Sequence, residues 1–192
     1  MTIICGVDEA GRGPLAGPVV AAAVIFDSNP NIAGLKDSKQ MSPASRLLMA
    51  SQIMAQARCF AITGISCRLI DKINILQASL LAMRRAVERL PVEPELIIVD
   101  GNRLIPGLDC RQRAVVRGDQ LVPQIAAASV LAKVARDALM ITMAEEYPDY
   151  GFERHKGYCT KDHLEALRLH GPCSIHRRSF APVAQANIWE KS

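Results

Sequence analysis

Apolar residues along this chain fall into short continuous runs and into longer stretches with a helical repeat. The runs are typical of buried strands and predict strands at residues 3–8, 19–26, 58–66, 96–99 and 114–116. The helical repeat predicts helices near residues 43–57, 69–90, 125–146 and 161–170. Because strands alternate with helices, the pattern predicts an α/β sheet sandwich.

The clearest helical repeat lies in the second of these helices. From Leu69 onward its apolar positions alternate at spacings of four and three, through Ile73, Leu76, Leu80, Met83, Val87 and Leu90. Three heptads also occur in coiled coils, but a helix that faces a core is the better interpretation in a compact α/β chain. No repeat, low-complexity tract or linker divides the sequence. A single domain over residues 1–192 is therefore predicted.

Composition narrows the class of protein. Nearly half of the 192 residues are hydrophobic (49%), which favours a packed core over disorder. The longest apolar run, 19–26, falls far short of the roughly 20 residues that a helix needs to cross a bilayer. No basic segment precedes an apolar stretch at the N-terminus, so a secretory signal is not expected. A cytoplasmic location is the default expectation.

Cysteine, histidine and charge each argue for or against a particular class of site. The six cysteines form no C-x-x-C pair and the four histidines have no ligand spacing, which disfavours a zinc site or a disulfide framework. Residues 151–192 carry seven Lys or Arg against four acids, which suits a polyanion but equally a solvated face.

Acidic residues stand at or near the ends of three predicted strands, each within two residues of a glycine: Asp8, Glu9, Asp100 and Asp119. Strand ends are where α/β sheets form sites, and gathered carboxylates repel one another unless cations arrive. Neighbouring strand residues face opposite ways, so Asp8 and Glu9 are expected to share a site only if the chain leaves the strand between them.

Oxygen ligands alone favour Mg²⁺ or Mn²⁺. Two such ions about 4 Å apart form the clamp that serves phosphoryl transfer. A single Asp-Gly pair is usually a turn former. Because three strand ends carry such acids, the interpretation as turns and the interpretation as a metal site receive about equal support. The other nucleotide and hydrolase motifs are missing, because the chain has no G-x-G-x-x-G, no G-x-x-x-x-G-K-[ST] and no G-x-S-x-G.

The motifs, in their order, closely resemble those of bacterial ribonuclease HII. They cover essentially the whole chain: 7–19 (VDEAGRGPLAGPV), 37–43 (DSKQMSP), 99–102 (VDGN), 116–119 (VRGD), 127–137 (AASVLAKVARD), 155–158 (HKGY) and 176–180 (HRRSF). The resemblance implies a ribonuclease H-like fold, with a mixed central sheet, flanking helices and a small helical C-terminal segment at about 147–192 that contacts substrate. It also implies two-metal endonucleolytic cleavage of RNA paired with DNA and of single ribonucleotides in duplex DNA, leaving 3′-hydroxyl and 5′-phosphate ends.

The resemblance also assigns roles to particular residues. Asp8, Glu9, Asp100 and Asp119 match the catalytic, metal-binding carboxylates. Asp137 competes for the fourth place but lies inside a predicted helix and is interpreted as structural. The remaining matches are the residues expected to contact substrate, namely the backbone-gripping loop Gly11, Arg12 and Gly13, the junction-sensing Tyr158, and the phosphate contacts Lys39, Ser129 and Lys133.

Two other functions remain open on the sequence alone. A hybrid-binding module that does not cut would use the Gly/Arg loop and the basic C-terminal segment, but it would leave the acids without a purpose. A phosphotransferase on the same fold lacks its nucleotide motifs.

A monomer that binds hybrid and ribonucleotide-containing duplex is expected, without a membrane contact and without a clamping tail beyond Trp189. A contact with a replication clamp is not readable from the sequence.

Overall fold

The structure is a computed structural model that describes residues 2–35 and 41–189, with side chains as far as Ala186. Lys39, one of the predicted phosphate contacts, lies outside the described residues. Among these residues, no helix is long and apolar enough to cross a membrane.

Five strands form one mixed sheet in the order β3-β2-β1-β4-β5. The central strand β1 is parallel to β4 and antiparallel to β2; β5 extends the parallel side and β3 the antiparallel side. The strands are β1 (Ile4–Ala10), β2 (Val19–Ile25), β3 (Cys59–Ile65), β4 (Leu96–Asp100) and β5 (Arg111–Val115).

Seven helices surround this sheet in the described part of the chain. They are α1 (Pro43–Gln56), α2 (Cys67–Glu88), α3 (Gly118–Leu121), α4 (Pro123–Glu146), α5 (Phe152–His155), α6 (Lys161–His170) and α7 (Ala181–Trp189), with a 3₁₀ turn at Pro148–Tyr150. The predicted α/β class, the mixed sheet and the helical C-terminal segment are confirmed. Ser42 caps α1 as expected, because its hydroxyl accepts the Ser45 N–H at 3.1 Å.

Each face of the sheet has its own core. Alternate β1 side chains such as Cys5 and Val7 pack with α2, while β2 residues such as Val24 pack with α1 and α4. Helix α4 comes unusually close to β1, since a Cβ placed on Gly6 would lie 2.2 Å from the Gln124 carbonyl carbon. The run of alanines near the start of α4 permits this approach.

Two sequence predictions about these elements are wrong. Strand β1 does not end between the two acids, because it stays paired with β2 as far as Ala10, with Asp8 opposite Ala22 and Glu9 opposite Ala21. The long α2 is not continuous either. Asn74 has φ +65° and its Oδ1 accepts the Gln77 N–H at 3.1 Å, so the side chain restarts the helix after a kink.

Candidate active site

The two acids of β1 occupy different environments at the end of the strand. Asp8 is 5% exposed and lies on the α4 side, where its carboxylate accepts a hydrogen bond from Ser129. Glu9 lines a cavity of about 220 Å³ on the other side, together with Asp100 of the neighbouring strand. Glu9 also borders a second cavity of about 270 Å³, which Ser129 lines. The strand end therefore separates two openings, and Glu9 reaches both.

Asp100 ends the strand next to β1, and its carboxylate organises the following segment. Its Oδ1 accepts the Gly118 N–H at 2.7 Å, which fixes the start of α3 beside the strand end. Gly118 is closely packed, because a Cβ there would lie 2.5 Å from Ile125 Cδ1 and 3.3 Å from Asp100 Oδ1, and a larger residue would require the Ile125 side chain to move. Asp119 follows directly and is 4% exposed. It lies inside a one-turn helix rather than at the strand end itself.

Burial and the charge of Asp100 act on both carboxylates of β1. Burial raises the pKa of Asp8 well above its ordinary value, and the charges of Glu9 and Asp100 raise that pKa further; hydrogen bonds from Ser129 and the Glu9 N–H oppose this. Burial and the Asp100 charge also raise the pKa of Glu9. The Arg12 guanidinium, 3.3 Å from the Glu9 carboxylate, lowers this pKa and partly offsets the rise. Asp8, Glu9 and Asp100 are therefore close enough for their charges to interact.

This donor set suits a hard divalent cation, since it consists of carboxylate oxygens and the fold disfavours the charged forms of Asp8 and Glu9. Among the residues that the structure describes, no three His, Cys, Asp or Glu side chains are already arranged to hold a metal ion. The chemistry of the carboxylates therefore fits a metal ion, although the described side chains do not already form a complete set of ligands around one position.

Two buried arginines hold the glycine loop that follows β1. Arg177 donates from Nε to the Gly17 carbonyl at 3.0 Å, from Nη1 to Arg12 at 2.9 Å and from Nη2 to Gly11 at 2.6 Å. Arg136 of α4 donates to the carbonyls of Pro18, Lys156 and Ala16, each at 3.0 Å.

Among the described residues, no acid forms a salt bridge with either arginine. Burial lowers both pKa values, that of Arg177 to about 9. The backbone carbonyls therefore solvate these cations by accepting their hydrogen bonds, and the cations fix the loop.

The sequence reasoning missed this role of Arg136 and Arg177. One signal was available for Arg136, which shares a helical stripe with Ala132 and Met140 at spacings of four, and all three are fully buried. A charged residue in an apolar stripe needs several hydrogen-bond partners. For Arg177, within the motif 176–180, the sequence offered no comparable signal.

We expect Arg177→Ala to lower the free energy of unfolding by about 3–5 kcal/mol, because it leaves buried carbonyls of the loop without donors. Urea unfolding monitored by circular dichroism measures this change. The adjacent exposed residue offers a matched control, and Arg178→Ala should change stability by no more than about 0.5 kcal/mol. Equal effects of the two substitutions would contradict the proposed anchoring.

Two buried histidines, His163 and His176, and the half-buried His155 form a network behind Tyr158. His163 Nε2 lies 3.0 Å from His176 Nε2, and His163 Nδ1 lies 2.9 Å from the Tyr158 carbonyl. The His155 carbonyl accepts the Tyr158 N–H at 2.9 Å, and His155 Nδ1 accepts the Gly157 N–H at 3.2 Å. The network thus fixes the backbone that carries the tyrosine.

Burial lowers the pKa of His163 to about 4 and that of His176 to about 3. Both histidines are therefore neutral near pH 7. The unfolded chain takes up protons first as the pH falls below about 6.5, so the stability that the network contributes declines from that pH downward.

The Tyr158 ring is exposed and stands above cations of α4. Lys133 Nζ lies 5.4 Å and Arg136 Cζ 5.7 Å from the ring centroid. Tyr158, Ser129 and Lys133 all line the 270 Å³ cavity beside Glu9, so three predicted substrate contacts share one opening. Asp137 pairs with Lys133 at 2.7 Å and lines neither cavity beside Glu9.

Within the glycine loop, the two glycines differ. Gly11 has φ +95°, and a Cβ there would lie 2.1 Å from Arg136 Nε, so the fold itself requires glycine. A Cβ on Gly13 would meet no atom within 4 Å. Packing therefore does not explain Gly13, and its backbone faces open space next to the exposed Arg12.

Comparison with known proteins identifies relatives along nearly the whole chain. The profile of the Ribonuclease HII family matches residues 5–183. The Ribonuclease HII of Nitrosomonas europaea is 60% identical over 187 residues, which cover 97% of this chain and 86% of the relative.

Two solved structures resemble the fold. That of ribonuclease H2 from Pyrococcus horikoshii has a TM-score of 0.82 at 25% identity and covers all of both chains. That of Bst ribonuclease HIII in complex with Mn²⁺ has a TM-score of 0.74 at 22% identity, and covers all of this chain and 71% of that one. The chain therefore belongs to the ribonuclease HII family of metal-dependent endoribonucleases, which act on the RNA of RNA–DNA hybrids.

Proposed function

We propose that this protein cuts the phosphodiester next to ribonucleotides in hybrids and next to single ribonucleotides embedded in duplex DNA. The observation that carries this proposal is the electrostatic coupling of Asp8, Glu9 and Asp100 beside the anchored Gly-Arg-Gly loop. The first feature suits phosphoryl transfer, and the second suits contact with a sugar-phosphate backbone. The products would carry 3′-hydroxyl and 5′-phosphate ends.

Asp8, Glu9, Asp100 and Asp119 are the residues that would hold two divalent ions, Mg²⁺ or Mn²⁺. When bound, these ions would supply activation of the attacking water and neutralisation of charge on the leaving oxygen. The chain's own contribution is orientation: Ser129 fixes Asp8, and the Gly118 N–H fixes Asp100. The solved Mn²⁺ complex of Bst ribonuclease HIII, on a similar fold, is consistent with such a site.

Recognition of the ribonucleotide would come from the loop and from Tyr158. The open backbone at Gly13 can approach a sugar closely, and a 2′-hydroxyl can both donate to and accept from main-chain groups. The exposed Tyr158 ring supplies a flat face for a sugar, and Lys133 beside it supplies positive charge for a phosphate. Lys39 is proposed as a further phosphate contact on the sequence match alone.

The segment from 147 onward would belong to the substrate-contacting surface of one catalytic domain. Its residues carry Tyr158 and the histidine network, and its Arg177 anchors the glycine loop. We propose that the protein works on nucleic acid as a monomer, because the described residues of one chain supply both the carboxylates and the loop.

The proposed activity is tested with a labelled duplex that contains one ribonucleotide, incubated with Mg²⁺ or Mn²⁺. We expect one nick next to the ribonucleotide, no nick in the all-DNA duplex, and a product that a DNA polymerase extends from its 3′-hydroxyl. A long hybrid tests the broader substrate in the same experiment. Tight binding without any nick, from protein shown to be folded, would instead favour a hybrid-binding module.

A further inference from the structure

A groove of about 530 Å³ runs between α1 and α4 and continues the cavity beside Glu9. We call it the α1–α4 groove. Its apolar floor includes Leu47 of α1 and Ile141 of α4, which are 57% and 48% exposed. These two side chains, on facing helices, give the groove an apolar lining.

The rim of the α1–α4 groove is basic. Among the described residues, Arg46, Lys133, Arg154 and Lys156 line it together with one acid, Asp137. Lys133 pairs with that acid at 2.7 Å. Arg154 stands 3.8 Å from Glu153 and from Asp162, but such exposed pairs contribute little and exchange partners readily. The excess of cations over acids at the rim suits a polyanion.

The α1–α4 groove and the 270 Å³ cavity share three of their lining residues, namely Arg46, Lys133 and Tyr158. A chain that leaves the cavity beside Glu9 and passes Tyr158 would therefore enter the groove without interruption. Sugar rings present apolar C–H faces and phosphates present charge, which matches an apolar floor between basic edges.

We propose that the α1–α4 groove is the path of the sugar-phosphate backbone on one side of the cleaved bond. One flanking arm of the duplex lies there, with its sugars against Leu47 and Ile141 and its phosphates near Arg154 and Lys156. This proposal rests on the proposed function, because the arm is defined by the bond that is cut. A protein partner with an apolar face is the alternative occupant. The basic residues that line the groove favour the sugar-phosphate backbone over such a partner.

The test uses two neighbouring leucines of α1. Leu47 lines the groove, whereas Leu48 is 69% exposed and does not. We expect Leu47→Glu to raise KM by about five- to ten-fold on a long ribonucleotide-containing duplex, with kcat within about two-fold, because the new carboxylate repels phosphate. Leu48→Glu makes the same chemical change outside the groove and should leave both constants unaltered.

Trimming the duplex separates this path from a general charge effect. The KM penalty of Leu47→Glu should vanish when one arm is shortened to a few base pairs and persist when the other arm is shortened. Arg154→Gln should raise KM on the same arm and reduce the slope of log KM against log salt by about one, whereas Arg168→Gln, at an exposed site on α6, should not.

The outcomes distinguish the two proposals. Wild-type protein that cuts normally while Leu47→Glu matches Leu48→Glu on every substrate would overturn the groove alone. A KM penalty that ignores the length of both arms would do the same. Wild-type protein that never cuts would instead remove the proposed function. Thermal unfolding of each variant establishes that the comparison is made on folded protein.

Discussion

Asp8→Asn is expected to lower kcat on a ribonucleotide-containing duplex by about a thousand-fold or more, because it removes a carboxylate at the centre of the proposed metal site. The same substitution should raise the free energy of unfolding at pH 7 in the absence of metal. Burial and the charges of Glu9 and Asp100 raise the pKa of Asp8 in the folded state. Its charged form therefore costs stability, which a neutral isosteric amide would restore.

The sign of this effect depends on pH. A carboxyl group whose folded pKa is raised destabilises the fold above its unfolded pKa, which is about 4. The stability gain of Asp8→Asn should therefore be large near pH 7 and shrink as the pH falls toward 4. Single-turnover cleavage and thermal unfolding across this range measure both parts.

The exposed residue Asp109, far from the site in a surface loop, provides the control for this prediction. Asp109→Asn should change neither rate nor stability appreciably. Near-normal cleavage by Asp8→Asn would contradict the role assigned to Asp8. A loss of stability at pH 7 would contradict the electrostatic account instead.

Gly13→Ala is expected to lower kcat/KM by about a hundred-fold while the protein remains fully folded. A Cβ at this position meets no protein atom within 4 Å, so packing does not resist it. The methyl group would instead stand where a sugar-phosphate backbone has to approach, and a displacement of about 1 Å at such a contact can cost that much rate. Cleavage kinetics combined with circular dichroism measure the effect.

Gly11→Ala is the informative contrast. Its Cβ would lie 2.1 Å from Arg136 Nε, and the residue has φ +95°, so this variant should lose stability and should lose activity for that reason. Retention of full activity by Gly13→Ala would show that the loop does not approach substrate there. Unfolding of Gly13→Ala would show that the loop needs this glycine for its own structure.

The sequence predicts those parts of the fold that follow from periodicity. Short continuous apolar runs placed β1 to β4, and the repeat from Leu69 to Leu90 placed α2. Strand β5 begins at Arg111, three residues before the predicted 114–116, because its first residues are polar and carry no apolar run. The kink at Asn74 could not be predicted, since the Oδ1 bond that restarts the helix depends on a local backbone conformation that apolar spacing does not report. Likewise, the one-turn helix that carries Asp119 is fixed by a hydrogen bond to a residue 18 positions earlier.

In the candidate site, too, the sequence predicts some features and not others. Carboxylates next to predicted strand ends could be read from the sequence, and the structure brings Asp8, Glu9 and Asp100 into one electrostatic field. The expected departure of the chain between Asp8 and Glu9 was wrong, because pairing with β2 continues to Ala10 and Glu9 reaches the site from the other face.

The Arg177 anchor of the loop could not be predicted from the sequence. Arg177 bonds to carbonyls some 160 residues earlier, and no local pattern encodes that contact.

Asp8, Glu9, Asp100 and Asp119 are proposed to hold divalent cations, and a direct titration of Mn²⁺ into the folded protein, followed by calorimetry, tests this. We predict about two ions bound per chain, with an affinity that rises with pH as protons leave Asp8 and Glu9, and a loss of at least one ion in Asp8→Asn. Wild-type protein that binds no Mn²⁺, or an Asp8→Asn variant that binds it as the wild type does, would contradict the account.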